Sequence, residues 1–176
     1  AAFGRVAAAL VAVVAAGVAY GSGTYFTHRQ YELAHANDWL KEVVEYHSVF
    51  AKEERHIVEV RAEAKDYLES WLGARLGTTL RVPDLAAHGL DFLGGRMIVI
   101  ESRPAALLSY ASPKGLPVAL CVSRTLPDDR ALAHARVETL NTVYWADSGY
   151  TYTLLGWVDP DFLRVLAEEV ERQRRV

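Results

Sequence analysis

Apolar and polar positions recur along this chain with three different textures, and each predicts a different element. Residues 6–26, VAAALVAVVAAGVAYGSGTYF, hold no charged side chain. About 20 such residues rise about 30 Å as a helix, which matches a bilayer core, so the run predicts a single transmembrane helix over residues 1–27. A signal peptide is the competing reading, since Arg5 precedes the run and Gly17-x-Ala19 resembles a small-residue cleavage site. Apolar residues then recur every three to four positions. Asp38 can cap a helix with Trp39, Leu40, Val43, Val44 and His47 on one face, inside a helical connector over 28–60. A second helix fits 61–76, with Tyr67, Leu68, Trp71, Leu72 and Leu76 together and Gly73 and Gly77 weakening its end. The intervening HIVEV alternates, and either extends or joins the two helices.

From Leu80 onward short apolar runs are broken by Gly and Pro. The pattern predicts strands at 92–101, 105–111, 117–123, 137–146 and 150–158, separated by the turn signals SRP, SPKGL, LPDD and DSG. Links this short favour antiparallel neighbours. The polar 125–135 link reads as a loop or a short helix. In DPDFLRVLAEEVERQRRV, Asp159 is a cap, Pro160 a first helical residue, and Phe162, Leu163, Leu166 and Val170 an apolar stripe that docks on the sheet. The fold class is α+β: a transmembrane helix, a helical connector, then a domain over 61–176 holding an antiparallel meander of about five strands flanked by helices.

Charge narrows the function. Arg5 is the only charged residue before Thr27, so the remainder carries 18 basic and 22 acidic residues, a formal charge of −4 within a chain total of −3. An acidic balance without a basic stripe argues against nucleic acid as a partner. A lone Cys121 in VALCV reads as a buried small hydrophobe and excludes an intrachain disulfide.

Candidate chemistry is sparse. His28, His35, His47, His56, His88 and His134 lack zinc-site spacing, and Glu53, Glu54, His56 and Glu59 read as a solvated helix end. There is no G-x-S-x-G, G-x-G-x-x-G or P-loop motif; Gly94 and Gly95 read as a turn or bulge, and the pairs Asp128-Asp129 and Glu168-Glu169 as solvent charges. No enzyme, metal or cofactor is expected. Within the apolar run, Gly17 and Gly21 form G-x-x-x-G with Gly23 beyond, a pattern that lets another membrane helix approach. Tyr144, Trp145, Tyr150, Tyr152 and Trp157 crowd two neighbouring strands. They serve either as core and cross-strand pairs, or, where they point outward, as a partner surface with Tyr144, Tyr150, Tyr152 and Trp157 as its candidates.

Taken together, YHSVFAKEERHIVEV, LESWLGARLG, VPDLAAHGLDFLGGRMIV, PAALLSYASPKGLPVAL and VYWADSGYTYTLLGWVDPDFLRVLAEEV resemble the extracytoplasmic domain of bacterial transmembrane anti-sigma factors. The resemblance runs over about 46–170, and Trp71, Pro83, Asp84, Leu85, Gly89, Gly94, Gly95, Arg96, Pro104, Ala105, Ala106, Tyr110, Trp145 and Gly156 match recurring positions of the family. Arg96 is the matching residue whose charge packing explains least; it forms either a surface salt bridge or part of the candidate partner surface. The resemblance implies a single-pass inner-membrane protein, N-terminus cytoplasmic and C-terminal domain periplasmic, in contact with membrane lipid. In that family a cytoplasmic domain, often carrying a zinc-binding H-x3-C-x2-C motif, sequesters an extracytoplasmic-function sigma factor until the periplasmic domain receives a signal. That motif is absent here, so either sigma-factor binding falls to a domain outside this chain or the protein has lost that task. The expectation is an anti-sigma-like regulator of transcription by signal transduction; the alternative is an accessory subunit that reuses the domain among other integral-membrane subunits.

Overall fold

The computed structural model describes residues 38–53, 57–113, 115–124 and 129–175. Its main compact unit, Leu40–Val176, is organised around one antiparallel sheet. Among the described residues the sheet has seven strands: β1 Val60–Arg61, β2 Asp91–Ile100, β3 Arg103–Ser112, β4 Gly115–Arg124, β5 Arg130–Val137, β6 Leu140–Asp147 and β7 Tyr150–Gly156. Three α-helices accompany them: α1 Asp38–Phe50, α2 Lys65–Leu76 and α3 Pro160–Arg174.

Seven strands correct the expected five. The first addition, β1, is two residues long, too short for any alternation to announce. It exists because β2 offers Gly94, whose φ is +135° and at which a Cβ would lie 2.2 Å from Val60 O. Only a glycine lets β1 come this close. The second addition, β5, occupies RALAHARV, mostly within the 125–135 link read as a loop or short helix and ending at Val137, where the sequence pattern predicts the next strand to begin. Its apolar positions are mostly alanine, a weak strand former, and it pairs on one side only, so the period-2 signal is faint.

The order is not a meander either. Strands run β1-β2-β3-β4-β7-β6-β5, because β7 takes the free side of β4, with Cys121 opposite Thr153. Crossing from β4 to β5 spans three inter-strand spacings, about 14 Å, and the six residue steps from Arg124 to Arg130 reach about 20 Å. The hairpins themselves are tight. Ile100 pairs with Arg103 across Glu101 and Ser102, and Asp147 with Tyr150 across Ser148 and Gly149. All four turn residues have positive φ, the conformation of a type I′ turn, whose twist suits the flanking strands.

Alternation sorts the side chains onto two faces. One carries Ala106, Leu108, Tyr110, Val118, Leu120, Val122, Val143, Trp145, Tyr152 and Leu154, all buried. Helix α2 covers it with Leu68, Leu72 and Leu76, and α3 with Leu163, Leu166, Ala167 and Val170. Gly95 lets α2 approach, since a Cβ there would stand 2.9 Å from Leu108 Cδ2 and 3.1 Å from Leu68 Cδ2. Asp159 caps α3 as expected, its carboxylate accepting from Asp161 N–H at 2.8 Å, with Pro160 first in the helix. Helix α2 begins four residues later than predicted, after a 3-10 turn at Ala62–Ala64, and ends at Gly77 with φ +74°. Arg96 follows Gly95 and so points to the opposite face. There its guanidinium lies over Phe50 at the end of α1, which places that helix on the second face with Leu40, Val43, Val44 and His47 buried.

The predicted span over 1–27, with Gly17, Gly21 and Gly23, lies outside the described residues. Among those described, no helix is long and apolar enough to cross a membrane, and the single-pass inner-membrane placement is corrected accordingly. Within the expected connector, 38–50 is helical, whereas Glu59 already hydrogen-bonds to the sheet edge.

Candidate functional site

The contacts that hold α1 against the sheet form the most distinctive polar cluster. At its centre is Arg96, whose side chain is largely buried. Its guanidinium carbon sits 3.5 Å from the centroid of the Phe50 ring, and Nη2 lies 3.6 Å from Glu59 Oε1. Stacking on an aromatic face compensates a desolvated guanidinium by about 0.5–2 kcal/mol. The other Glu59 oxygen accepts from Met97 N–H at 3.1 Å, and Glu59 N–H donates to Gly95 O at 3.0 Å. Glu59 therefore continues β1's hold on β2 by one more residue. Further along the strand, Glu42 of α1 accepts from Glu101 N–H at 2.8 Å, inside the type I′ turn. Two glutamates thus occupy outward-facing donors of β2 and of the turn that follows it.

His47 anchors the same helix to β4. Its Nε2 lies 3.0 Å from Pro117 O; because a carbonyl only accepts, Nε2 carries the proton. The imidazole is buried and its ring centroid lies 5.5 Å from that of Trp157. Burial pushes its pKa down to about 4, against which the bond to Pro117 acts upward. Trp157 Nε1–H donates to Thr139 Oγ1 at 3.1 Å, in the turn between β5 and β6.

The candidate aromatics do not form one surface. Tyr144 is half-buried on the α1 side of the sheet. On the other side, Tyr150 donates its hydroxyl to Leu76 O and Gly77 O, both at 3.1 Å, closing the last turn of α2. Tyr152 is buried, stacked on Trp145 at 5.3 Å, with the Arg174 guanidinium 3.9 Å from its ring centroid. Burial pushes the Tyr152 hydroxyl pKa up. Arg174 also reaches Asp147 Oδ2 at 3.0 Å; the Asp147 pKa is held down first by the Ser148 hydroxyl and then by Arg174. Arg96 and Trp157 belong to the α1 cluster. The residues sequence reasoning missed are Glu42, which carries no local signal, and Glu59, read as part of a solvated helix end.

Cys121 is buried and its thiol pKa is pushed up to about 12, so it stays protonated. Among the described residues no three His, Cys, Asp or Glu side chains are grouped to hold a metal ion. Of the paired acids, Asp129 accepts from Ser148 N–H at 2.9 Å and Glu169 pairs with Arg172. Fold and site together define a helix-clamped antiparallel sheet. No family model matches the chain, and neither a curated protein nor a solved structure does.

Proposed function

We propose that the chain is a regulatory binding domain of the anti-sigma type, without catalysis of its own, in which docking of α1 on the sheet carries the signal. The observation that supports this reading is the α1 cluster. A helix at the start of the folded unit is tied to the sheet by discrete side-chain links, Glu42 to Glu101 N–H, Phe50 to Arg96 and His47 to Pro117. On this reading a signal shifts the helix between docked and released arrangements. The resemblance over about 46–170 falls within the compact unit Leu40–Val176. On this reading the output partner is an extracytoplasmic-function sigma factor, reached through a domain outside this chain.

The test is transcriptional. In cells whose copy lacks residues 60–176, RNA sequencing is expected to show a coherent set of altered transcripts, and Arg96→Ala should alter the same set to a smaller extent. An unchanged transcript profile on deletion overturns the proposal. Stable co-purification with other subunits and no transcriptional effect would instead assign the domain to an accessory role in a complex.

A further inference from the structure

The two edges of the sheet are treated in opposite ways. On the β2 side, β1 covers Gly94 and Gly95, Glu59 holds Met97 N–H and Glu42 holds Glu101 N–H. That edge is covered from Gly94 to Met97 and again at the turn. The other edge is β5, and among the described residues no strand lies beyond it. Val137 pairs with Leu140 across a two-residue turn, with Ala135 opposite Thr142 and Ala133 opposite Tyr144. Residues flanking such a turn exchange their backbone bonds with each other, as does every second pair after them. Val137, Ala135 and Ala133 therefore face β6, and the N–H and C=O of His134 and Arg136 point away from the sheet.

The charged side chains along this edge, Arg130 and Arg136, share one sign. Arg130, His134 and Arg136 are exposed, and no ion pair joins them to a described residue. The arginines of α3 are different: Arg164, Arg172, Arg174 and Arg175 each pair with a carboxylate. In a chain of net charge −3, this edge strand carries two exposed arginines without an ion pair to a described residue. His134 lies opposite Val143 and Arg136 opposite Asn141, so both project from the same face of the sheet. A second copy docking antiparallel on this edge would set basic groups against basic groups, which destabilises cross-strand pairs.

We infer that the β5 edge, Ala133 to Val137, accepts an extended acidic segment of a partner protein as an added antiparallel strand, with carboxylates at alternate positions opposite His134 and Arg136. The backbone of His134 and Arg136 supplies the strand bonds, and their side chains select for acid. Ala133 and Ala135, on the other face, leave room for the partner's intervening side chains. This assignment rests on the reading of the chain as a binding domain and names the chemistry of what it binds.

The experiment uses the full chain and a fluorescein-labelled ten-residue peptide of alternating glutamate and valine, followed by fluorescence anisotropy. Saturable binding is expected, with Kd raised at least tenfold by the double variant His134→Glu and Arg136→Glu and at least tenfold by N-methylation of alternate peptide residues. A lysine–valine peptide should bind the double variant but not the native chain, a gain that a misfolded variant could not give. Arg75→Glu, an exposed charge change on α2, should leave Kd within twofold. Absence of saturable binding, or binding that survives both charge reversal and N-methylation, overturns the inference. Deletion of 60–176 separates the two readings: altered transcripts with no peptide binding retain the regulatory role without this edge, and peptide binding with unaltered transcripts does the reverse.

Discussion

Acid should loosen this domain through one imidazole. His47 titrates at about 4 in the folded chain against 6.5 for the free side chain, because burial disfavours the charged ring more than its bond to Pro117 O favours it. Between those two pH values the unfolded chain binds a proton that the folded chain refuses. Stability conferred by the neutral buried ring is therefore intact above pH 6.5, falls as pH drops through 6.5, and levels off below about 4. At about 1.36 kcal/mol for each pH unit separating the two values, the total loss is about 3 kcal/mol, with a slope near pH 5 of about 1 kcal/mol per pH unit. That is a large share of the 5–15 kcal/mol typical of a domain.

Many carboxylates titrate over the lower part of the same range, so the measurement is a difference. Urea unfolding followed by tryptophan fluorescence at half-unit steps from pH 7.5 to 4 would be made on the native chain and on His47→Gln. Glutamine keeps an N–H donor for Pro117 O and cannot take up a proton. The native chain should lose about 3 kcal/mol more than the variant over this interval, whatever their difference at pH 7.5. Parallel curves would show that His47 is not held neutral, and would remove the buried imidazole from the account of how α1 docks.

Other substitutions test other joints. Gly94→Ala puts a Cβ at 2.2 Å from Val60 O at a residue with φ +135° and should cost at least about 2 kcal/mol, read by thermal unfolding and by faster amide exchange at Gly95 and Arg61. Tyr150→Phe removes the hydroxyl shared by Leu76 O and Gly77 O; a loss of about 1 kcal/mol is expected, with faster exchange in the last turn of α2 and unchanged exchange in α3. Arg96→Ala deletes the group stacked on Phe50 and should raise protease sensitivity of α1 while leaving that of α3 unchanged; equal sensitivity in both helices would mean that Arg96 holds the whole sheet rather than one helix.

Legibility followed the number of neighbours each element has. Strands β3, β4 and β7 are flanked on both sides and covered on both faces, and their dense apolar runs announced them within a few residues. The cap Asp159 and Pro160 announced α3 for purely local reasons. β5 pairs with β6 alone and alternates half-buried with exposed positions, so its alanines carried little signal, and the arginines that define the open edge went unread with it. Alternation showed which aromatics shared a face. It could not show what covers that face, and expecting one side to be free made a partner surface of Tyr150 and Tyr152, which α2 and α3 use. Partners distant in sequence account for the rest: Glu42 and Glu101 are 59 residues apart, and His47 and Pro117 are 70.

The unequal edges follow from where the charges fall in the chain. An unpaired edge strand invites association with any other strand, and chains counter this with short cover strands, bulges or charge. Here the acidic connector and α1 fold back onto β2, and their carboxylates accept from Met97 N–H and from Glu101 N–H in the turn after it. No acidic stretch returns to β5; of the acids that flank it, Asp129 is engaged with Ser148 N–H and Glu138 lies in the turn to β6. Basic side chains alone guard that edge. Guarding by charge repels only partners of the same sign, so it discourages a second copy of this strand while admitting an acidic one. Turn chemistry adds a consequence: Thr139, between β5 and β6, receives the Trp157 indole N–H, and the Trp157 ring lies against His47 of α1. The open edge and the clamped helix therefore meet the same tryptophan, and a strand added at β5 acts on an element whose next contact is the helix that the regulatory reading requires to move.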